Sequence, residues 1–267
     1  MSVFKEFLEN SLQQKIKKLI PLTGGASADI NRIILENDRE LIVRRTLSKE
    51  ESVMAIPKTL EAKIQKIVKA NDAPVPEILI EFSEGDEIGE GYVMEAIAGE
   101  TIPRKILRDD SFKKAREKLP YEIGMSLAKI HQTKLDQLQD LEQTSFLDSL
   151  QKLNLVYLSF QQPQPVFDLA FKWLEAQKLE DYGEVLVHGD FRFGNFIISD
   201  ENLESIIDWE LAHIGNPMED LGWLCVRSWR FGNVTKRVGG LGDIEELIAG
   251  YEACLLYTSD AADEGSS

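Results

Sequence analysis

"VLVHGDFRFGNFIISDENLESIIDWE", residues 185–210, sets three short apolar runs around His188, Asp190, Asn195 and Asp208. Residues 185–187, 196–198 and 205–207 read as short strands, and residues 199–202 supply the tight turn between the last two. A packed core does not accept so many ionisable groups, and a surface loop does not need such regular spacing. Asp190 and Asn195 stand five positions apart just before a strand, and Asp208 follows Asp190 by 18 residues at the end of the returning strand. A hairpin of this kind brings Asp208 back beside Asn195. One Asp then serves as a base toward a hydroxyl, while the Asn and the second Asp offer hard oxygen donors suited to Mg2+.

The bulk numbers narrow the partners. At 267 residues and 43% hydrophobic the chain builds either one large domain or two ordinary lobes. A formal charge of −16 excludes a nucleic-acid partner, because a phosphate backbone demands a basic face. It also means that a polyphosphate ligand must be met by local cations. No apolar run is long enough to span a bilayer, so no membrane partner is expected. Cys225 and Cys254 give no disulfide framework, and a reducing cytoplasm is the simplest setting. Near the start, Phe4, Leu8, Leu12, Ile16, Leu19 and Ile20 recur at helical spacing and predict one amphipathic helix.

Residues 29–35 and 40–45 read as strands joined by an Asn37-Asp38 turn. A helix is predicted over 58–70, followed by Pro74 and Pro76, which stop it and lead into a strand. "GYVMEAIAGE" is one more strand running into a connector. Five strands and a helix within about ninety residues form a small antiparallel sheet lobe, 1–97. Beyond it, amphipathic helices are predicted over 121–134, 145–160 and 165–179, in a second lobe of residues 98–254. From about Leu255, "LLYTSDAADEGSS" loses helical periodicity and becomes small and acidic. Residues 255–267 read as a non-native tail, which implies that the second lobe is truncated.

Two further groups of residues suit a phosphate. Gly24, Gly25, Ala26 and Ser27 let main-chain N–H groups approach closely, although the same composition serves many plain turns. Arg44 lies on a strand and Glu61 follows 17 residues later on the next helix. A strand cation paired with a helix carboxylate is how nucleotide kinases hold the α- and β-phosphates.

Taken together, His188, Gly189, Asp190, Asn195 and "IIDWE" resemble the signature of the aminoglycoside phosphotransferase and choline kinase group, which shares the protein-kinase fold. The resemblance extends over residues 20–235 through "GGAS", "LIVRR", Glu61, "PVP", "YVMEAIAGE" and "GNPMEDLGWL". Within that group the chain is similar to the branch of the kinase-like domain attached to some acyl-CoA dehydrogenases. The resemblance implies an α+β, two-lobe fold and transfer of a γ-phosphoryl group from ATP (GTP is not excluded) with Mg2+. By the same resemblance, Asp190 is the catalytic base and Asn195 and Asp208 hold the metal. Arg44, Glu61 and residues Gly24 to Ser27 hold the phosphates, and the backbone at Glu95 and Ile97 meets the adenine edge. His188 orders the loop, and Asp220 anchors it or caps a helix. His131 is read as structural.

For the acceptor, Arg227, Arg230, Lys236 and Arg237 form a basic cluster in an acidic chain, near Trp223 and Trp229. Arg227 and Arg230 are therefore read as meeting an anionic small molecule, a hydroxy acid or a hydroxyacyl-CoA. Two other functions remain open on the residues alone: a nucleotide-binding module without catalysis, and an aminoglycoside O-phosphotransferase. A protein kinase fits less well, since no "DFG"-type segment or activation loop follows Asp208. Oligomeric state is not readable from the sequence.

Overall fold

The structure, a computed structural model, describes residues 3–22, 29–47, 55–177 and 182–264. It opens with helix α1 (Val3–Leu12), strand β1 (Ile16–Pro21), the hairpin β2 (Asp29–Leu35) and β3 (Glu40–Thr46), and helix α2 (Lys58–Ala70). Strand β4 (Ile78–Glu84), a single helical turn α3 (Gly85–Ile88) and strand β5 (Gly89–Glu95) complete the first lobe. The five strands form one antiparallel sheet in the order β1-β2-β3-β5-β4.

The single twenty-residue N-terminal helix does not form. Gln13 adopts φ 53°, which ends α1, and the chain then pairs as β1 with Ile16 opposite Leu35. Glu9 fixes this corner: its buried carboxylate accepts from the Ile16 N–H at 3.0 Å and from Lys15 Nζ at 2.8 Å. Of the apolar residues assigned to the later turns of that helix, Ile16 is buried in the strand it joins. Spacing of three to four residues on so short a stretch satisfies a strand equally well.

Strand alternation places the site. Leu41 and Val43 of β3 are fully buried with Phe4, Leu8, Ile33, Leu35 and Val93 on one face. Ile42 and Arg44, one position out of phase, point from the other face into the cleft between the lobes. Helix α2 packs on that same face of the sheet, where Ala62 meets Ile78 and Tyr92.

Helix α4 (Pro103–Arg108) leads into α5 (Lys113–His131), the centre of the second lobe, followed by a helical hairpin of α6 (Phe146–Ser159) and α7 (Pro165–Glu175). Ser145 caps α6 through a reciprocal capping box with Asp148. Strands β6 (Val185–Val187), β7 (Phe196–Ile198), β8 (Leu203–Ile206) and β9 (His213–Gly215) precede helices α8 (Met218–Leu224) and α9 (Ile244–Glu264). Only β7 and β8 form the expected hairpin; β6 pairs with β9. Two ribbons thus hold the two ends of the loop between β6 and β7. Helix α9 runs on through Leu255. Among the described residues no helix is long and apolar enough to cross a membrane.

The second lobe rests on the contact of α5 with α9. Gly124 sits where an added Cβ would lie 2.1 Å from the Leu247 carbonyl oxygen. Gly124→Ala is expected to push the two helices apart and lower the free energy of unfolding by about 1–3 kcal/mol, measured by urea denaturation. An unchanged midpoint would show that the helices do not approach this closely.

Candidate active site

The β6–β7 loop is held from beneath by one carboxylate. Asp220, on α8 and fully buried, accepts from the His188 N–H at 2.8 Å, the Gly189 N–H at 3.1 Å and His131 Nε2 at 3.2 Å. Burial acts to raise its pKa, but hydrogen bonds and charge from its partners, His131 first, outweigh that and hold it below the usual aspartate range. Gly189 has φ 83° and lies so close to the Leu211 carbonyl that a Cβ would sit 2.2 Å from its oxygen. His188 is fully buried; its Nε2–H donates to the Ile207 carbonyl at 3.1 Å, and its Nδ1 accepts from the Asp190 N–H at 3.3 Å. Burial keeps its pKa below the ordinary histidine value, which suits the neutral tautomer those bonds require. His188 therefore orders the loop rather than reaching the cleft.

The Asp190 carboxylate, just beyond this base, is clasped by three donors. Arg192 Nε lies 3.0 Å from both carboxylate oxygens, Asn195 Nδ2 donates to Oδ2 at 2.7 Å, and Trp223 Nε1 donates to Oδ1 at 2.8 Å. The Ile207 N–H donates to the Asn195 carbonyl at 2.9 Å, so the β7–β8 ribbon brings Asp208 next to Asn195 in the pairing. Asp208 holds φ 73°, an uncommon backbone for a residue with a side chain. The juxtaposition read from the spacing of Asp190, Asn195 and Asp208 is present.

Above them, Arg44 Nη2 donates to Asp208 Oδ1 at 2.7 Å and to Glu210 Oε2 at 2.9 Å, while its Nε lies 3.4 Å from Glu61 Oε2. The expected Arg44–Glu61 pair is therefore the longest of three contacts. Burial works against the Arg44 charge, but Glu61 and Asp208 more than offset it and hold the guanidinium firmly protonated. Glu61 is fully buried and takes a second cation, Lys58 Nζ at 2.5 Å, together with the Tyr92 hydroxyl at 3.0 Å. Burial pushes the Glu61 carboxyl up, against the pull of Arg44 and Lys58.

Beside this network lies a cleft of about 600 Å3 lined by Ile42, Tyr92, Met94, Ile197 and Ile207, with Glu95 to Ala98 along its rim. Glu95 and Ile97 both reach it, but the Glu95 N–H is committed to the Glu77 carbonyl at 2.9 Å. Among the described residues the Ile97 N–H has no main-chain partner. Gly24, Gly25, Ala26 and Ser27 lie outside the described residues.

The basic cluster divides. Arg230 is structural: its Nη1 and Nη2 donate to the Val234 and Cys225 carbonyls, each at 2.8 Å. Both ends of the guanidinium thus close a turn of the main chain. Lys236 pairs with Asp243, and Arg227 is exposed. His131 joins Asp220 to the Tyr251 hydroxyl, a structural part as expected. The residues missed by reading the sequence are Arg192, Glu210, Lys58 and the indole N–H of Trp223. Arg192 and Glu210 stood two positions from named residues; Lys58 sat on the face of α2 that carries Glu61.

Residues 18–257 match the phosphotransferase enzyme family, APH, and the chain belongs to that family. Its curated relatives include acyl-CoA dehydrogenase family member 11 of Pongo abelii, 29% identical over 73% of this chain and 27% of that protein. Acyl-CoA dehydrogenase family member 10 of Mus musculus is 27% identical over 80% of this chain and 22% of the relative. The chain thus spans about a quarter of the length of these proteins. Among solved structures, spectinomycin phosphotransferase APH(9)-Ia with ADP and its drug superposes with a TM-score of 0.65 at 14% identity, over 92% of this chain and 78% of the other. The fold is that of the kinase-like phosphotransferases.

Lys58→Met leaves the buried Glu61 carboxylate one cation short and is expected to lower stability by about 3 kcal/mol. A double-mutant cycle with Glu61→Gln, followed by urea denaturation, should return a coupling on the order of 1–3 kcal/mol. Additive losses would mean that the two side chains do not share a charge interaction.

Proposed function

We propose that this chain transfers the γ-phosphoryl group of ATP to a hydroxyl of a small anionic molecule, a hydroxy acid or a hydroxyacyl-CoA. The observation that carries the reading is the clasp on Asp190, which fixes a carboxylate beside Asn195, whose ribbon neighbour Asp208 lines the cleft. The acceptor hydroxyl gives its proton to Asp190 as its oxygen bonds to the γ-phosphorus. The bond from that phosphorus to the β–γ bridging oxygen breaks, and ADP leaves with the electron pair. A clasped carboxylate accepts the hydroxyl in a narrow range of directions, which is the positioning that phosphoryl transfer chiefly needs.

Both Asp190 oxygens are occupied in the structure, so the acceptor must replace a donor. Trp223 is the exchangeable one: it is 38% exposed, whereas Asn195 is buried and Arg192 is held against the Trp229 ring at 4.6 Å. Arg192 leaves its two Nη groups for an anion, and Arg227 stands exposed on the same segment as the two tryptophans. The curated relatives are named for enzymes of acyl-CoA, which agrees with an acyl acid as acceptor. A polycationic acceptor would meet Arg192 as a like charge.

The residues present fit magnesium. The Asp208 carboxylate already binds a cationic group, Arg44, in the cleft, and Asn195 adjoins it through the ribbon. Among the described residues no cluster of three or more His, Cys, Asp or Glu side chains stands ready for a metal. Mg2+ commonly takes only one or two protein carboxylates and draws its other ligands from water and phosphate. Asp208 and Asn195 would hold it, and bound there it supplies positive charge to the phosphate oxygens. Arg44 would then be free for the nucleotide phosphates, and Lys58 would keep Glu61 neutralised.

A panel of hydroxy acids, hydroxyacyl-CoAs and aminoglycosides incubated with ATP and Mg2+ should show ADP release with the acids. Asp190→Asn is expected to lower kcat about 10²–10⁴-fold, with ATP affinity by calorimetry changed by less than about threefold. Arg192→Met should raise KM for an anionic acceptor about tenfold or more. Binding of ATP with no turnover on any acceptor would instead identify a nucleotide-binding module, and turnover of aminoglycosides alone would overturn the acceptor class.

A further inference from the structure

We propose that the α6–α7 hairpin is the surface through which two copies of this chain associate. Ten large apolar side chains between Phe146 and Glu175 are at least 46% exposed, including Leu155 and Leu169 at 68% and Trp173 at 60%. On α7, Val166, Leu169, Ala170 and Trp173 follow the i, i+3, i+4, i+7 spacing of a core-facing stripe, yet all four face outward. Helix α6 adds Leu155, Leu158 and Phe160. Monomeric proteins rarely leave so many large apolar side chains of one hairpin exposed.

The hairpin is built to hold this shape. The Thr144 N–H donates to the Ile214 carbonyl at 2.8 Å, tying its base to β9. Tyr157 packs between Phe167 and Phe171, with ring centroids 5.6 Å from each. Its hydroxyl accepts from the Gln164 N–H at 2.7 Å and donates to Asp168 Oδ1 at 2.9 Å, which locks the turn. A pair of helices fixed in this way presents its apolar side chains with little further loss of conformational entropy on docking.

Area and charge select a second copy as the occupant. At roughly 150 Å2 per large side chain the exposed apolar surface is on the order of 900 Å2. A stable association needs about 800 Å2 from each partner. Two chains of charge −16 repel, so they can meet only where charge is sparse. The hairpin carries five charged residues, and three are already engaged: Asp148 in the cap, Lys152 with Glu142 and Asp168 with Tyr157. The other two, Lys172 and Glu175, have opposite signs one turn apart, so a two-fold contact can give each lysine an acid of the other copy. Two such hairpins make a four-helix bundle. An anionic membrane is the poorer match, since the hairpin offers two lysines on a strongly acidic protein.

The whole chain at about 50 µM should sediment with twice its 30.2 kDa mass. The double variant Leu169→Lys/Trp173→Glu should sediment as a monomer with an unchanged circular dichroism spectrum and thermal midpoint, because both side chains lie outside the core. Ala170→Cys, which preserves the apolar face, should form an intermolecular disulfide under mild oxidation. A monomeric wild-type chain, a dimer that persists in the double variant, or an Ala170→Cys chain that stays reduced would each overturn the proposal. So would a monomer that floats with zwitterionic or anionic vesicles, which would assign the face to lipid.

Discussion

A buried guanidinium holds the two lobes in register. Arg44 rises from the third strand of the sheet and reaches carboxylates that belong to the second lobe, Asp208 at 2.7 Å and Glu210 at 2.9 Å. A lone buried cation would be costly, and each of those acids would repel the other without it. The rest of the cleft is arranged around this charge. Glu61 steadies it from α2, Lys58 steadies Glu61, and Tyr92 fills the remaining lone pair. On the proposed function, a triphosphate and a metal would compete for Arg44 and Asp208 respectively, so the ligand would replace one set of ion pairs with another.

The loop that carries the chemistry has a separate support. Asp220 receives two main-chain N–H groups and a histidine, and that histidine continues to Tyr251 on α9. The Tyr251 hydroxyl is pushed up to about 12, chiefly by burial and then by the nearby Asp220 charge, so it stays a proton donor across the physiological range. Positioning of Asp190 is thereby referred to the α5–α9 contact rather than to the sheet. Movement of the sheet against the helical lobe need not disturb Asp190. On the proposed function, this division would let the nucleotide half open while the acceptor half keeps its geometry.

Much of this was legible because short-range spacing and long-range chemistry agree. The helix over 58–70 was visible to the residue, and the return of Asp208 toward Asn195 followed from strand–turn–strand spacing. Where reading failed, two periods fitted one segment or a partner lay far along the chain. Ile16, Leu19 and Ile20 suit a helix until β2, arriving from residue 29 onward, supplies hydrogen bonds that a lone helix end lacks. The partner of β6 is β9, 28 positions from Val185 to His213, and nothing local distinguishes it from β7. Lys58 was invisible for a different reason. A lysine at the first position of an amphipathic helix normally faces water, and only the neighbouring acids of the folded cleft make burial tolerable.

The acceptor side shows how charge counting along a sequence can mislead. Arg230 and Lys236 belong to the basic cluster that follows α8, yet both are spent on local bonds. Arg192, alone among aromatic and small residues, is the cation that touches the reactive carboxylate. Its Nε is fixed by Asp190 and its plane by the Trp229 ring, so the guanidinium cannot fold back onto the protein. An anion entering beside Asp190 therefore finds a preorganised partner whose side-chain entropy is already lost. A cation entering there finds one carboxylate already paired. On the proposed function, discrimination between acceptor classes would rest on Arg192, and the exposed Arg227 would add long-range attraction rather than selectivity.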